Sequence, residues 1–334
     1  MDLQGNDSLN GTLDFTAYGG LSQVGKFFMV CAISIAMVCL GCAMEVAKIK
    51  AHIKNPKGVG IALVALYGVM PLTAFSLAKA FQLSEMAAVV VLICSCCPGG
   101  LLSNILSLAF SGDMNLSIVM TTCSTLLALG MMPLLLLVYC QSFEGLQEAV
   151  PYRDIVLSLL TILTPCGIGI LLNHYRPQYS RNIRKAGLIL SNTCFLVVVV
   201  LSVLENGEQT LSVLAPPMLA IALLMPMIGY TFGYLLSFHY RLTESQCRTV
   251  AMEAGCRNGQ LCMVLVKNAF PREAVGPLFL FPVVYMLSQL SEALVLVLLF
   301  RTHRCWQQRN NKKGTYQVAD PEIRQVGDQE RAVK

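Results

Sequence analysis

The sequence predicts an all-α membrane protein with nine transmembrane helices, and three observations lead to this fold class. The 334 residues are 55% hydrophobic but only 13% charged, about half the charged fraction of a typical soluble domain. The apolar residues cluster into runs of roughly 20, the length that crosses a bilayer as a helix. Two of these runs are interrupted by glycine at corresponding points of the chain. Such interruptions are typical of membrane helices that break at a binding site.

The apolar runs follow one another between a polar N-terminal segment and a charged C-terminal segment. The predicted spans cover about 27–47, 58–80, 86–110, 115–140, 154–173, 186–204, 212–238, 248–270 and 277–300. Residues 27–300 are therefore expected to form the membrane region. Residues 301–334 are expected to be a disordered cytoplasmic tail, because they are charged and contain few apolar side chains.

Basic residues predict the orientation of the chain. If residues 1–26 are extracellular, 18 of the 24 Lys and Arg residues fall on the cytoplasmic side, as expected for short loops of a membrane protein. Asn6 and Asn10 begin Asn-x-Ser/Thr triplets, which are glycosylated only on the outer face and so agree with this orientation. We therefore expect a multi-pass protein of the cell membrane with a cytoplasmic C-terminus. Since topology explains the basic residues, nucleic-acid binding is not expected.

The two interrupted runs occupy equivalent positions in two halves of the chain. Pro98-Gly99-Gly100 interrupts the third run and Glu253-Ala254-Gly255 interrupts the eighth, so that Gly255 follows Gly100 by 155 positions. The same offset relates Met70-Pro71 to Met225-Pro226. Because an odd number of spans separates the starts of the two triples, spans two to four and seven to nine are predicted to be inverted repeats.

The repeats also predict how the membrane region is divided. Spans of about 58–140 and 212–300 would contain the two inverted repeats. The remaining spans, at about 27–47 and 154–204, would form a second bundle.

Polar side chains inside the membrane are costly and therefore informative. Glu253 lies at the second interruption, and Ser103 and Asn104 follow the first. Ser117 and Thr121 are four residues apart and share one face of the fourth span. Together these side chains offer one carboxylate, one amide carbonyl and several hydroxyls. That set of oxygens suits a hard cation, and its low charge favours a monovalent ion over calcium.

Two other interpretations of these residues stay open. Hydroxyl and amide side chains in membrane helices commonly form only interhelical hydrogen bonds. Glu253 could also pair with Arg257, four residues later in the favourable order, although the intervening Gly255 makes regular helical geometry doubtful.

Other chemistries find little support in the sequence. Cys94, Cys96 and Cys97 resemble a metal cluster, but no second Cys or His group accompanies them, and Cys in an apolar run behaves as a small buried residue. There are no paired Asp residues, no HExxH motif and no nucleophile–base arrangement, so the chain is not expected to be an enzyme.

Five stretches of the chain resemble the sodium/bile acid cotransporter family, and the similarity extends over about residues 27–300. These stretches are Gly41-Cys42-Ala43-Met44-Glu45, Cys97-Pro98-Gly99-Gly100, Leu102-Ser103-Asn104, Gly112-Asp113-Met114-Asn115-Leu116-Ser117 and Met252-Glu253-Ala254-Gly255-Cys256. The segment 120–133 resembles in particular the liver member of that family.

The resemblance implies a panel domain beside a core domain, which comprises the spans at about 58–140 and 212–300 and in which the two broken helices cross. It also implies sodium as the coupling ion and no other cofactor. It implies that the first sodium site consists of Ser103, Asn104, Ser117, Thr121 and Glu253. The implied substrate is an amphipathic organic anion, a conjugated bile salt or a steroid sulfate. This substrate would lie in a largely apolar cleft between panel and core, near Asn258 and Gln260.

The second sodium site of the family is expected to be degenerate here. The resemblance places Leu66 and Arg257 where the family has two glutamines. Leucine offers no oxygen, and a guanidinium has donors but no acceptor. We therefore expect the Arg257 guanidinium to replace one cation, so that uptake with one sodium is nearly electroneutral. The alternatives are a sodium-independent organic anion carrier and a non-transporting binding or receptor protein.

Overall fold

The computed structural model describes residues 5–44, 56–143, 150–207 and 213–332. Every regular element in these ranges is helical, as the sequence predicts. Four of the basic residues used for the orientation, Lys48, Lys50, Lys54 and Lys334, lie outside the described residues. Asn6 and Asn10 lie in the first helix, but their side chains are outside the described part of the chain.

Thirteen α-helices are numbered here in chain order, and two short segments with other helical geometry lie between them. The helices are α1 (Gly5–Ala43), α2 (Lys57–Val64), α3 (Met70–Ala80), α4 (Glu85–Cys96), α5 (Leu101–Ala109), α6 (Met114–Cys140), α7 (Tyr152–Tyr175), α8 (Pro177–Asn206), α9 (Pro216–His239), α10 (Glu244–Gly255), α11 (Gly259–Ala269), α12 (Arg272–Val275) and α13 (Phe281–Ala332). A π-helical turn, Ala65–Val69, joins α2 to α3, and a 3₁₀ turn, Gly276–Leu280, precedes α13.

The number of membrane spans in the described residues is lower than the nine that hydropathy predicts. Seven helical segments are long and apolar enough to cross a bilayer, and the bent pair of α4 and α5 makes eight if it counts as one span. The predicted eighth span is divided into α10, which carries Arg248 and Glu253, and α11, and Arg257 lies in the break between them. Nine spans result only if this divided segment also crosses the bilayer, so the ninth span stays a prediction.

The last helix also differs from expectation. It continues from Phe281 to Ala332, through most of the segment for which composition predicts disorder. Residues such as Arg301, Gln307 and Lys312 are favourable in helices, which offers a local reason for the continuation.

The outer surface of the helices fits a lipid environment. On α6, the side chains of Leu126, Leu134 and Leu137 are exposed, and on α8 those of Ile189 and Leu196 are exposed. Rows of exposed large apolar residues along helices this long are expected where the surrounding solvent is hydrocarbon.

One bundle consists of α1, α7 and α8, which pack against one another. Gly41 of α1 meets α7 so closely that a Cβ atom there would overlap with the carbonyl oxygen of Cys166. On the facing side, a Cβ at Gly169 would overlap with the carbonyl oxygen of Val38. Small residues allow this backbone contact, which is the usual basis of helix association in membranes. These helices correspond to spans one, five and six.

Glycines of α9 position the helix that carries Glu253. A Cβ at Gly229 would lie 2.7 Å from the carbonyl oxygen of Ala254, and one at Gly233 would lie 3.0 Å from the carbonyl oxygen of Val250. Both distances are too short for a larger side chain, so α9 and α10 are held in direct backbone contact.

Two arginines hold the C-terminal end of α5, which is the end farther from the first helix break. Arg248 donates from Nε to the carbonyl of Phe110 at 2.9 Å and from Nη2 to that of Ser111 at 3.0 Å. Arg301 donates to the carbonyl of Ala109 at 3.3 Å. Carbonyls at a helix C-terminus lack helical partners, and cationic side chains are favourable there. This end of α5 is therefore fixed to α10 and α13.

Candidate functional site

The first helix break lies between α4 and α5, where Pro98, Gly99 and Gly100 interrupt the chain and the two helices differ in direction by 58°. The carbonyl oxygen of Pro98 accepts a hydrogen bond from the backbone N–H of Asn258 at 3.0 Å. Asn258 belongs to the second break, so the two breaks contact and satisfy each other. Unwound backbone inside a membrane requires such internal partners.

The second break, between α10 and α11, is stabilised by side chains. The backbone N–H of Arg257 donates to Gln289 Oε1 at 2.8 Å, and Gln289 Nε2 donates to the Arg257 carbonyl at 3.0 Å. Asn258 then caps α11 by accepting from the N–H of Leu261 at 3.1 Å. Sequence reasoning did not identify Gln289. The signal that could have found it is an amide side chain inside an apolar span.

The five residues predicted for the first sodium site converge beside these breaks. Glu253 is fully buried, and its Oε2 accepts from Ser103 Oγ at 2.6 Å and from Thr121 Oγ1 at 3.0 Å. Asn104 Oδ1 accepts from Ser117 Oγ at 2.6 Å and from Thr121 Oγ1 at 3.1 Å. The structure thus brings three separate helices, α5, α6 and α10, to one cluster of oxygens, named here the oxygen cluster.

A further layer of hydrogen bonds surrounds the oxygen cluster. Ser124 donates to the carbonyl of Thr121 at 3.0 Å, and Tyr67 donates to the carbonyl of Ser124 at 2.5 Å. Sequence reasoning identified neither residue: the Ser124 bond lies within its own helix, and the Tyr67 bond joins residues that are far apart in the chain. They hold the Thr121 segment of α6 against the π-helical turn.

One oxygen of the cluster lacks a partner. Among the described residues, Glu253 Oε1 is buried and accepts no hydrogen bond. A Cβ at Gly99 would overlap with this atom, so the carboxylate approaches the first break directly. A buried carboxylate oxygen with no donor is costly. A cluster of carboxylate, amide and hydroxyl oxygens with one unsatisfied acceptor has the chemistry of a site for a small hard cation.

The ion pair offered as an alternative by the sequence is not formed. Glu253 Oε1 and two guanidinium nitrogens of Arg257, Nε and Nη1, have no hydrogen-bond partner among the described residues, and Glu253 Oε2 bonds to hydroxyls. The helix ends at Gly255, between the two residues, so their side chains do not share one helical face.

The two positions assigned to the degenerate second site are brought together. Leu66 is fully buried in the π-helical turn, and Arg257, only 2% exposed, directs Nη2 toward the Leu66 carbonyl oxygen at 3.5 Å. π-Helical turns inside α-helices leave backbone groups less regularly paired and are frequent at functional sites. The side chain facing this turn is a cation rather than a ligand for one.

Asn258 and Gln260 line a cavity of about 270 Å³, named here the crossing cavity. Its other walls come from α1, α5, α8 and α13 and are mostly apolar, and Arg257 of the second break also lines it. Gln260 donates to Asn192 Oδ1 at 3.3 Å and accepts from Ser191 at 3.4 Å. Ser191 and Asn192 are thus cavity residues that sequence reasoning did not identify, since their apolar run has no interruption. A mainly apolar cavity with a few amide groups suits an amphipathic ligand.

The cysteines near the first break form a buried contact. Cys94 Sγ lies 2.8 Å from Cys262 Sγ, which connects α4 to α11. In the part of the chain that the structure describes, no group of three or more His, Cys, Asp or Glu side chains is arranged to hold a metal ion.

Comparison with known proteins adds evidence of a different kind. The profile of the Sodium Bile acid symporter family matches residues 30–213. The chain belongs to this family.

Relatives within the Sodium Bile acid symporter family are similar over most of their length. The hepatic sodium/bile acid cotransporter of Homo sapiens is 52% identical over 266 residues, which cover 79% of this chain and 76% of that protein. The hepatic protein of Rattus norvegicus is 47% identical over 303 residues, covering 89% and 83%. The ileal sodium/bile acid cotransporter of Homo sapiens is 40% identical over 278 residues, covering 83% and 79%.

Membership of the Sodium Bile acid symporter family confirms the resemblance derived from the sequence motifs, including the similarity to the liver protein. It identifies the chain as a multi-pass membrane protein from a family of transporters rather than enzymes. The roles of the individual site residues remain predictions.

Proposed function

We propose that this protein is a secondary active cotransporter that takes up conjugated bile salts or related sulfated steroid anions together with sodium. The observation that carries the proposal is the oxygen cluster, in which five side chains from three helices meet at two crossed helix breaks. Relatives named sodium/bile acid cotransporters support the same class of substrate and coupling ion.

Sodium would bind in the oxygen cluster. Ser103, Asn104, Ser117, Thr121 and Glu253 supply its ligands. The hydroxyl groups can rotate, so that oxygens now donating to Glu253 and Asn104 would present lone pairs to the ion. The ion would satisfy the unpartnered carboxylate oxygen and draw the two helix breaks together.

The substrate would occupy the crossing cavity, between a panel formed by α1, α7 and α8 and a core formed by the inverted repeats. The apolar walls accommodate a steroid body, and Asn258 and Gln260 offer hydrogen bonds to its polar groups. Movement of the core past the panel would expose this cavity to either side. The N-terminus, glycosylated at Asn6 and Asn10, would be extracellular, and the C-terminus cytoplasmic.

Only one sodium would accompany each anion. At the second site, the Arg257 guanidinium lies against the Leu66 carbonyl and supplies a permanent positive charge. One sodium with one monovalent anion transfers no net charge, whereas a second sodium would transfer one positive charge per cycle. Each elementary charge crossing 100 mV contributes about 2.3 kcal/mol, so uptake by this protein would be nearly independent of membrane potential.

The test measures uptake of radiolabelled taurocholate and a steroid sulfate in transfected cells, with current recorded in parallel. We expect uptake to fall to background when choline replaces sodium, with almost no inward current per anion. A robust inward current would contradict the single-sodium mechanism. Undiminished uptake in choline would identify a sodium-independent carrier. Surface binding without uptake would identify a non-transporting receptor.

A further inference from the structure

The Arg257 guanidinium is buried without acceptors for most of its N–H groups. The residue is only 2% exposed, and Nε and Nη1 have no hydrogen-bond partner among the described residues. Nη2 approaches the Leu66 carbonyl at 3.5 Å, which is longer than a typical N–H···O bond. A buried charge without acceptors is costly. The described chain therefore leaves donors on this cation that a negatively charged ligand can use.

The main chain at Arg257 keeps its conformation without help from the guanidinium. Gln289 bonds to both the N–H and the carbonyl of Arg257, at 2.8 and 3.0 Å. The next residue, Asn258, donates its N–H to the Pro98 carbonyl at 3.0 Å. Folding at the break therefore does not need a charged side chain at this buried position. A ligand explains the arginine better than stability does.

Arg257 also lines the crossing cavity, together with Asn258 and Gln260. It is the single charged residue among the lining residues that the structure describes, and most of the others are apolar. Low-dielectric walls around one cation, with no acid beside it, strengthen the field that an entering anion experiences. The cavity therefore combines a surface for an apolar body with one group that selects negative charge.

Glu253, the acidic residue nearest to Arg257 in the chain, is not paired with it. Glu253 Oε2 accepts from Ser103 and Thr121, and Oε1 has no partner in the described part of the chain. In the proposed mechanism, sodium binds this carboxylate and cancels its charge. The two breaks then carry one net positive charge, from Arg257, until an anion restores neutrality. Since opposite charges attract strongly away from water, a filled sodium site favours an anion at Arg257.

We infer that the Arg257 guanidinium binds the negative group of the ligand. Its Nε and Nη1 N–H groups would donate to the sulfonate, sulfate or carboxylate of an amphipathic anion whose body lies in the crossing cavity. Hydrogen bonds between charged groups are roughly twice as strong as neutral ones. The inference rests on the proposed function, which supplies the ligand class and the sodium. It adds a specificity determinant, because an uncharged ligand with the same body gains nothing from the guanidinium.

The experiment measures equilibrium binding of radiolabelled taurocholate to the purified full-length protein in sodium buffer, for wild type and Arg257→Gln. We expect the Kd to rise by about tenfold in the variant, because charge-assisted hydrogen bonds to the anion are lost, whereas the Kd for an uncharged bile alcohol with the same ring system should stay within about twofold. A taurocholate Kd that does not change would overturn the inference. An equal loss of affinity for both ligands would overturn it as well.

Two further measurements separate a ligand role of Arg257 from a structural one. Arg257→Lys keeps the positive charge with fewer N–H groups, so its Kd for taurocholate should lie between those of wild type and Arg257→Gln. The thermal midpoint of ligand-free Arg257→Gln should equal or exceed that of wild type, because an unpaired buried charge is removed. A lower midpoint for Arg257→Gln, together with no recovery of binding in Arg257→Lys, would indicate a structural role and overturn the inference.

Arg301→Gln is the matched control for the loss of an arginine. Arg301 is exposed, is not among the residues that line the crossing cavity, and bonds to the Ala109 carbonyl at the end of α5. Its taurocholate Kd should stay within about twofold of wild type, because solvent screens an exposed charge. An increase equal to that of Arg257→Gln would show a general effect of positive charge and would contradict specific binding by Arg257.

Uptake measured for the same variants keeps this inference separate from the transport proposal. If wild type binds taurocholate through Arg257 but takes up none, the transport proposal fails and the anion site stands. If wild type takes up taurocholate and Arg257→Gln binds it as tightly as wild type does, the anion site fails and the transport proposal stands.

Discussion

The oxygen cluster and the pocket around Arg257 are two buried polar regions separated by one helix break, and they differ in what they offer an ion. In the oxygen cluster, acceptors dominate: Ser103 donates to Glu253, Ser117 donates to Asn104, and the single Thr121 hydroxyl proton is shared between the two. At Arg257 the guanidinium offers donors alone, and its Nε and Nη1 have no partner among the described residues. The same broken-helix scaffold therefore supports one site for an exchangeable cation and one position with a built-in cation.

The difference shows that a helix break can form whether or not the side chains beside it can bind a cation. Gln289 stabilises the backbone of Arg257 at the break, regardless of what the side chain does. A cation site needs oxygens in addition, but the Leu66 carbonyl faces the guanidinium and the Arg257 carbonyl already accepts from Gln289. Variants that exchange acceptors and donors can test this comparison directly.

The largest effect is expected from Glu253→Gln, which removes the only carboxylate of the oxygen cluster with little change in volume. Loss of one partner in a buried, charged hydrogen-bond network costs about 2 kcal/mol or more, which corresponds to roughly 30-fold. Sodium-dependent taurocholate uptake, normalised to surface protein, should fall by at least that factor. Uptake with an unchanged sodium requirement would show that the ion binds elsewhere.

The next largest effect on uptake is expected from Gly99→Ala, because the first break approaches the Glu253 carboxylate closely. Gly99→Ala adds a methyl group that would overlap with Glu253 Oε1, and we expect uptake to fall by about tenfold. Gly130→Ala is the matched control, because a Cβ at that position of α6 has no neighbour within 4 Å. Equal effects of the two substitutions would indicate a general loss of helix stability rather than a local one.

A double substitution can restore hydrogen-bond acceptors at the degenerate second site. In Leu66→Gln/Arg257→Gln, two amide oxygens replace an apolar side chain and a guanidinium, and the fixed positive charge is removed. We expect an inward current to accompany uptake, and the uptake rate to become several-fold more sensitive to voltage, because each added charge gains about 2.3 kcal/mol per 100 mV. Arg257→Lys, which keeps the charge, should remain electroneutral. An electroneutral double variant would argue against the replacement of sodium by Arg257.

The smallest effect is expected from removing one hydroxyl ligand. Thr121→Val deletes a group bonded to both Glu253 and Asn104, and the sodium concentration for half-maximal uptake should rise by about fivefold, equivalent to about 1 kcal/mol. Thr122→Val is its control, because among the described residues Thr122 bonds only to the Ile118 carbonyl of its own helix. Sodium titration of uptake would distinguish them, and similar shifts in both variants would contradict a ligand role for Thr121.

Several features of the fold follow from local sequence. Long apolar runs predict membrane helices because the hydrocarbon core has a set thickness. The breaks at Gly99 and Gly255 are predictable because unwound backbone favours glycine and lies near polar side chains. Local sequence predicted the helices less accurately in the C-terminal segment and at residues 244–269. Hydropathy does not distinguish a continuous span from two shorter helices there, since the charges of Arg248 and Glu253 interrupt the pattern.

By itself, the sequence determined the helical class, the family, the positions of the breaks and the five side chains of the oxygen cluster, because each depends on residue type at short range or in recognisable motifs. Only the tertiary structure decided that Gln289 supports the second break, that Glu253 and Arg257 do not bond to each other, and that Arg257 lines the crossing cavity. These contacts join residues far apart in the chain. They depend on how helices pack in three dimensions, and no local pattern encodes that packing.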